Sequence, residues 1–90
     1  METFRKRLRE LRKNAGLTQK ELASILLTNN SSICDWECGR TQPDLETLAI
    51  ISTFFEVNAD YLLGLEDDSG TKIKFDIQHL KDKAVLVKKR

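Results

Sequence analysis

The stretch GLTQKELASILLTNNSSICDWECGR, residues 16–40, contains the start and stop signals of two short helices that lie only a few residues apart. Thr18 can cap the first helix, and Glu21 stands three residues later, where it completes a capping box. Asn29 can cap the second helix, and Gly39 can end it. Two short helices joined by so tight a turn are typical of a helix-turn-helix arrangement.

The helix that precedes this pair is indicated by apolar residues at i, i+4, i+7 and i+11, a spacing that lines one helical face. These residues are Phe4, Leu8, Leu11 and Ala15. The two central helices have apolar stripes of their own, which are Leu22, Ala23 and Leu26 in the first and Ile33 and Trp36 in the second. The outward side of the second helix therefore consists of small, mostly uncharged side chains.

Two more helices are predicted further along the chain. Asp44 can cap a fourth helix that extends to about Phe55, and the positions that periodicity buries are Leu48, Ile51 and Phe55. Asn58 can cap a last short helix that Gly64 closes. The segment EDDSG, residues 66–70, has the composition of a linker. Beyond it, strand-like alternation and helical spacing are both present, so the tail is compatible with either.

Length and charge limit the possible functions. A chain of 90 residues holds one small domain, and its stability is marginal enough for self-association to help. The net charge is only +1, but residues 1–13 carry six basic and two acidic side chains, and residues 69–90 carry seven and two. Residues 14–68 carry two basic and ten acidic side chains. The chain thus has two basic ends and an acidic middle. Charged residues that simply face solvent could give the same distribution.

Several classes of protein are disfavoured by what the sequence lacks. It has neither a long apolar run nor an apolar secretion signal, so we expect a cytoplasmic protein with no membrane partner. The single His79 has no acid or nucleophile at a useful spacing, and no glycine-rich phosphate loop is present, so we expect no enzyme and no cofactor. Cys34 and Cys38 are expected to be reduced thiols without a metal, although a redox or metal sensor is a weaker alternative.

Residues 4–66 as a whole resemble the lambda-repressor-like, Xre-type helix-turn-helix family. The matching positions are Leu17-Thr18-Gln19, Glu21-Leu22-Ala23, Ile33, Trp36-Glu37, Gly39-Arg40, Pro43, Leu45 to Leu48, Val57 and Tyr61 to Gly64. The resemblance implies an all-α fold, a five-helix bundle with a short C-terminal tail. It implies a DNA-binding domain over residues 1–66, followed over 67–90 by a linker and a basic tail that is a possible dimerisation element.

By this resemblance, Asn30, Ser31 and Asp35 are the base-reading residues. Asparagine offers a donor and an acceptor in the geometry that suits adenine, and small side chains let the helix approach base edges in the major groove. Asp35 is less suited to DNA, because phosphates repel a carboxylate unless it accepts a hydrogen bond from a cytosine amino group. A salt bridge between Asp35 and a basic neighbour is the alternative.

Phosphate contacts are expected from other residues, because such contacts position a protein while base contacts select sequence. The resemblance implies that Gln19 and Arg40 contact the DNA backbone. Arg5 and Arg9 can add charge from the first helix, and Asn29 is a further candidate.

Two residues depart from the family pattern. Leu27 stands where the turn usually has glycine, and a left-handed backbone there costs a non-glycine residue on the order of 1 kcal/mol, so a reshaped turn is possible. Cys38 replaces an asparagine that commonly helps to hold a phosphate, which weakens one expected backbone contact.

Helix 4 carries a second apolar face. Ile50 and Phe54, four residues apart, lie beside the face that the core uses. We expect them to form a dimer interface with apolar residues of the tail, which are Phe75, Ile77 and Leu80. The alternative is that the tail covers this face within its own subunit.

The sequence thus predicts a prokaryotic or phage transcriptional regulator whose partner is double-stranded DNA. A repressor that binds a palindromic operator as a homodimer fits best, because such proteins bind two half-sites about one helical turn apart. The alternative is a protein-interaction module or an antitoxin-type protein with reduced DNA binding and an unidentified protein partner.

Overall fold

The computed structural model describes residues 2–73 and 77–78 of the chain. Five helices follow one another, which are α1 (Glu2–Asn14), α2 (Gln19–Ile25), α3 (Asn30–Cys38), α4 (Leu45–Phe55) and α5 (Ala59–Leu63). Within the described ranges no β-strand is present, and β-pairing is limited to one isolated antiparallel bridge between Glu66 and Lys72. The prediction of an all-α, five-helix bundle is confirmed.

The helix starts follow the capping signals of the sequence. At α2 the Thr18 hydroxyl accepts from the Glu21 amide at 3.0 Å, and the Glu21 carboxylate accepts from the Thr18 amide at 2.8 Å. The Asn29 side chain accepts from the Ser32 amide at 2.8 Å to cap α3. These bonds satisfy amides that the first turn of a helix leaves without partners.

The caps of α4 and α5 differ. The Asp44 carboxylate accepts from the Thr47 amide at 2.8 Å, and hydrogen bonds from Thr47 lower the pKa of Asp44 below its ordinary value. Asn58 occupies the capping position of α5 but makes no side-chain cap. Its amide nitrogen instead donates to the Glu66 carboxylate at 3.3 Å, so the predicted capping role of Asn58 is wrong.

The core lies where α1, α2 and α3 meet, with α4 and α5 closing it. Its buried apolar residues are Phe4, Leu8, Leu22, Ala23, Leu26, Ile33, Trp36, Ile51 and Leu62. Leu11, Leu48 and Phe55, which were predicted to be inward, are partly buried against this cluster. Ala15 is exposed, so its predicted place on the inner face of α1 is wrong.

The inner face of α1 continues through Arg12 instead, which lies four residues after Leu8. Arg12 is buried and forms a two-pronged ion pair with the buried Glu37 of α3, with Nε to Oε2 at 2.6 Å and Nη2 to Oε1 at 3.0 Å. Nη1 of Arg12 donates to the Leu17 carbonyl at 2.8 Å. The hydrogen bond to Glu37 raises the pKa of Arg12, against an opposing effect of burial. Buried charges are tolerated when they are paired in this way.

The segment after α5 folds back on the domain. Arg7 of α1 donates to the carbonyl oxygens of Tyr61 and Glu66, the latter at 2.7 Å, and its guanidinium lies 4.2 Å from the centre of the Tyr61 ring. Lys72 bridges the carboxylates of Asp60 at 2.8 Å and Glu66 at 3.1 Å. Residues 66–73 therefore form a turn attached to α1 and α5, while the division of the chain at residue 66 stays a prediction.

The turn between α2 and α3 keeps the left-handed conformation at Leu27, with φ of 58° and no glycine. Its side chain is 93% exposed, so it contributes almost no packing to offset the strain. The possibility of a reshaped turn is therefore not realised at this residue.

We predict that Glu37→Ala lowers the free energy of unfolding by about 3 kcal/mol, because it leaves the Arg12 guanidinium buried without its anion. Urea unfolding followed by circular dichroism measures the change. Glu46→Ala, which removes an exposed carboxylate from α4, is the matched control and should change stability by less than about 0.5 kcal/mol.

The double substitution Arg12→Met with Glu37→Leu should recover most of that loss, since apolar residues of similar volume can replace a buried ion pair. A Glu37→Ala protein as stable as the Glu46→Ala control would show that the Arg12–Glu37 ion pair contributes little to the free energy of unfolding.

We predict that Leu27→Gly raises the free energy of unfolding by roughly 0.5 kcal/mol, because glycine relieves the left-handed strain and little packing is lost. The same urea titration measures it. Glu56, with φ of 56°, provides a second left-handed position, and Glu56→Gly should act in the same direction. Ser24→Gly, within α2, should destabilise instead. Equal destabilisation by all three glycine substitutions would contradict the claim that the backbone is strained at Leu27 and Glu56.

Candidate nucleic-acid interface

The outward face of α3 is a narrow polar surface. Asn30 and Ser31 are exposed in its first turn, and Asp35 lies one turn after Ser31 with 29% of its side chain exposed. Ile33 and Trp36 point the other way and are buried in the core. The predicted orientation of the helix is therefore confirmed, while the base-reading roles of Asn30, Ser31 and Asp35 stay predictions.

Gln19, at the start of α2, is held against α3. Its side-chain amide donates to the Glu37 carboxylate at 3.2 Å, and the same carboxylate oxygen accepts from Arg12. An amide group has two N–H donors, so one hydrogen remains to donate to a phosphate. The buried ion pair thus fixes the position of a side chain that is predicted to contact the DNA backbone.

Arg40 follows α3 and is tied to it. Its Nη1 donates to the Asp35 carboxylate at 3.2 Å, and its backbone amide donates to the Asp35 carbonyl at 2.8 Å. Gly39 makes this possible because it adopts the left-handed conformation, with φ of 83°. The salt bridge that was the alternative role for Asp35 is present, and its partner is a predicted phosphate contact.

Arg5 of α1 lies over the end of α3. A Cβ atom placed on Gly39 would stand only 2.9 Å from Cδ of Arg5, so a side chain at this position would displace the arginine. The structure therefore places the predicted phosphate contacts Arg5 and Arg40 at the same end of α3.

Asn29 lies at the start of α3, and Arg9 lies on α1. The oxygen of the Asn29 side chain caps α3, and this cap does not use its amide nitrogen. Arg9 is exposed and lines a surface cleft of about 160 Å³. The other residues around this cleft are Arg12, Gln19, Cys34, Glu37 and Cys38. Arg9 is thereby brought near Gln19, while the phosphate-contacting roles of Asn29 and Arg9 stay predictions.

Both cysteines are exposed free thiols. The Cys38 thiol donates weakly to the Asp35 carbonyl at 3.5 Å. Across the described residues, no three side chains of histidine, cysteine, aspartate or glutamate are grouped so that they could hold a metal ion. The chemistry that this surface supports is hydrogen bonding and charge pairing.

Sequence reasoning missed the role of Glu37, whose buried carboxylate accepts a hydrogen bond from Gln19 and so holds that side chain in the interface. The signal was present: Arg12 lies four residues after Leu8 and Glu37 four after Ile33, so each charge falls on a predicted inner face. Charges of opposite sign at inward positions of two neighbouring helices indicate a buried pair.

Comparison with known proteins gives the same fold. A family model described as a helix-turn-helix domain matches residues 6–68. The chain belongs to the Xre-type helix-turn-helix family of transcriptional regulators. The HTH-type transcriptional regulator ImmR of Bacillus subtilis (strain 168) is 38% identical, and the match covers 91% of this chain and 71% of ImmR.

Two further matches are to proteins that are also named as transcriptional regulators or activators. The HTH-type transcriptional activator BcrR of Enterococcus faecalis is 41% identical over 71% of this chain, but this chain spans only 31% of the length of BcrR. A crystal structure of a transcriptional regulator from Listeria innocua has a TM-score of 0.67 and 25% identity. That structural match covers 93% of this chain and 74% of the regulator.

This helix-turn-helix protein is therefore a DNA-binding transcriptional regulator and not an enzyme. The longest helix in the described part of the chain has 13 residues, and none there has the length and apolar character that crossing a bilayer requires.

Proposed function

We propose that this regulator is a repressor that binds a palindromic operator as a homodimer and acts in the cytoplasm. The observation that carries the proposal is the polar outward face of α3, where Asn30 and Ser31 are exposed while Ile33 and Trp36 anchor the opposite side. A helix of this kind can enter the major groove because nothing bulky separates its backbone from the base edges.

The proposed interface divides its contacts between two kinds of residue. Asn30 and Ser31 read base edges, with Asp35 accepting from a base amino group. The backbone contacts surround them and come from Gln19, Asn29, Arg40, Arg5 and Arg9. The hydrogen bond from Gln19 to Glu37 supports this division, because it fixes a backbone contact next to the reading face.

Of the ways to regulate transcription, repression requires the fewest features beyond DNA binding. A protein that covers a promoter excludes polymerase by DNA binding alone, and a domain of this size can do so. BcrR is named an activator, but more than half of that relative lies outside the region that this chain matches. An activating surface of BcrR can therefore lie in its remainder.

The dimer is supported by the second apolar face of α4. Ile50 is 46% exposed and Phe54 is 41% exposed, although both are large apolar side chains. Ile77, the one tail residue of the predicted interface among the described residues, is similarly exposed, and Phe75 and Leu80 lie outside those residues. A twofold contact through such a face would bury it and would place two α3 helices for two half-sites.

We predict that the full chain selects a short palindrome from a pool of random duplexes, with affinity that falls steeply as salt rises. Asn30→Ala should then relax the preference at one base pair per half-site, at a cost of about 1 to 3 kcal/mol. Arg9→Ala is the matched control and should weaken all duplexes alike, because it removes a phosphate contact. Titration of selected and single-substituted duplexes measures both effects.

A uniform loss from Asn30→Ala would mean that the base readers are wrongly assigned. Selection of no sequence, together with binding that does not respond to salt, would overturn the DNA-binding role of this interface and favour the protein-interaction alternative.

We predict that Ile50→Lys with Phe54→Lys leaves the helical content unchanged and moves the protein from dimer to monomer, because the two cations cannot be buried across a twofold. Analytical ultracentrifugation measures the shift, and circular dichroism verifies the fold. Leu45→Lys is a suitable control, since Leu45 is exposed on α4 but outside the proposed pair. The interface is rejected if the double variant sediments as the wild type does.

A further inference from the structure

Asp35 and Arg40 are connected twice, once through the backbone and once through their side chains. The Arg40 amide donates to the Asp35 carbonyl at 2.8 Å, which fixes the start of the arginine directly after α3. The guanidinium then turns back to the Asp35 carboxylate, with Nη1 to Oδ1 at 3.2 Å. Of the two side chains, Arg40 is 72% exposed and Asp35 is 29% exposed.

This pairing conflicts with the role proposed for each residue. A phosphate contact uses the guanidinium of Arg40 and base reading uses the carboxylate of Asp35, but in the DNA-free protein one nitrogen of the guanidinium is paired with one oxygen of the carboxylate. The other carboxylate of α3, on Glu37, does not compete for Arg40, because it is bound to Arg12 inside the domain. An exposed ion pair of this kind is weak, so it can be exchanged for better partners.

We propose that Asp35 is a specificity-determining residue that couples the identity of one base pair to the phosphate contact of Arg40. This inference rests on the proposed DNA-binding function and deepens it. Where a cytosine amino group faces Asp35 in the major groove, the carboxylate accepts from it and Arg40 is released to the phosphate. Where guanine O6 or thymine O4 faces Asp35, two acceptors meet, and the carboxylate retains Arg40.

The consequence is that one mismatch loses two contacts. The base contact fails because acceptor faces acceptor, and the phosphate contact is weakened because Arg40 remains shared with Asp35. An acidic residue on a DNA-facing helix then lowers the affinity for random DNA more than for the operator. Discrimination of this type, by penalising the wrong partner, does not require additional attractive contacts.

The test compares the full chain with Asp35→Asn, with Arg40→Ala and with their double substitution, and also with Glu56→Gln alone and in the Arg40→Ala background. Glu56 is exposed at the end of α4, so Glu56→Gln matches the change from carboxylate to amide outside the proposed interface. Each protein is titrated with a selected operator, with operators changed one base pair at a time, and with a random duplex over a range of salt concentrations. Thermal unfolding reports folding, and Asp35→Ser serves as a second variant at that position.

We expect Asp35→Asn to tighten binding to the random duplex roughly threefold, which is the scale of an exposed ion pair. Because Arg40 is released, the slope of log affinity against log salt on that duplex should steepen by about 0.9, the value for one phosphate. Preference at one base pair should fall about tenfold. In the Arg40→Ala background, Asp35→Asn should produce no such steepening, and Glu56→Gln should not produce it in either background.

The inference is overturned if Asp35→Asn leaves the salt slope unchanged, or if the double variant keeps the full gain, because Asp35 would then act without Arg40. Those outcomes leave the proposed function intact, since the wild type still selects an operator. Absence of salt-sensitive binding by the wild type overturns the proposed function and this inference together.

Discussion

The carboxylate of Glu37 is the point at which the helices of the DNA-binding surface are joined. It receives two donors from Arg12 of α1 and one from Gln19 of α2, while it belongs to α3 itself. Apolar packing gathers these helices but is not directional, whereas hydrogen bonds weaken steeply when their geometry is lost. The orientation of α3 relative to Gln19 therefore depends on this one buried anion more than on any apolar contact around it.

The same anion explains why part of the fold could be predicted from sequence and part could not. Caps such as Thr18 and Asn29 are local, because donor and acceptor are three residues apart, and their signals were sufficient. Arg12 was missed because apolar periodicity treats a charged residue as a solvent-facing one. Asn58 was misjudged for a related reason: its amide is drawn to Glu66, and nothing in the spacing of the chain indicates that Glu66 returns to that position.

Part of the candidate site could likewise be predicted from the sequence, and part could not. The exposed face of α3 followed from the inward pattern of Ile33 and Trp36 together with the family resemblance. The contacts between this face and the neighbouring helices could not be predicted in this way. The hydrogen bond from Gln19 to Glu37, for example, joins α2 to α3, and the sequence pattern does not give the relative placement of two helices. A salt bridge from Asp35 to a basic neighbour was predicted only as an alternative to base reading. That the neighbour is Arg40, directly after the reading face, could not be predicted from spacing.

The charge of the domain is distributed so that these weak contacts can operate. Basic residues are concentrated in α1 and in the last 22 residues, and the middle of the chain is predominantly acidic. α3 lies in this acidic middle and has no basic residue, so the positive charge for phosphate contacts has to come from α1 and from Arg40. In the proposed complex, Arg5 and Arg40 at one end of α3 contact the DNA backbone, so small side chains suffice to read bases because the helix does not have to supply the charge. An α3 with lysines on its outward face would bind DNA more tightly but would gain the same energy from every sequence, and it would lose the discrimination that a face without cations retains.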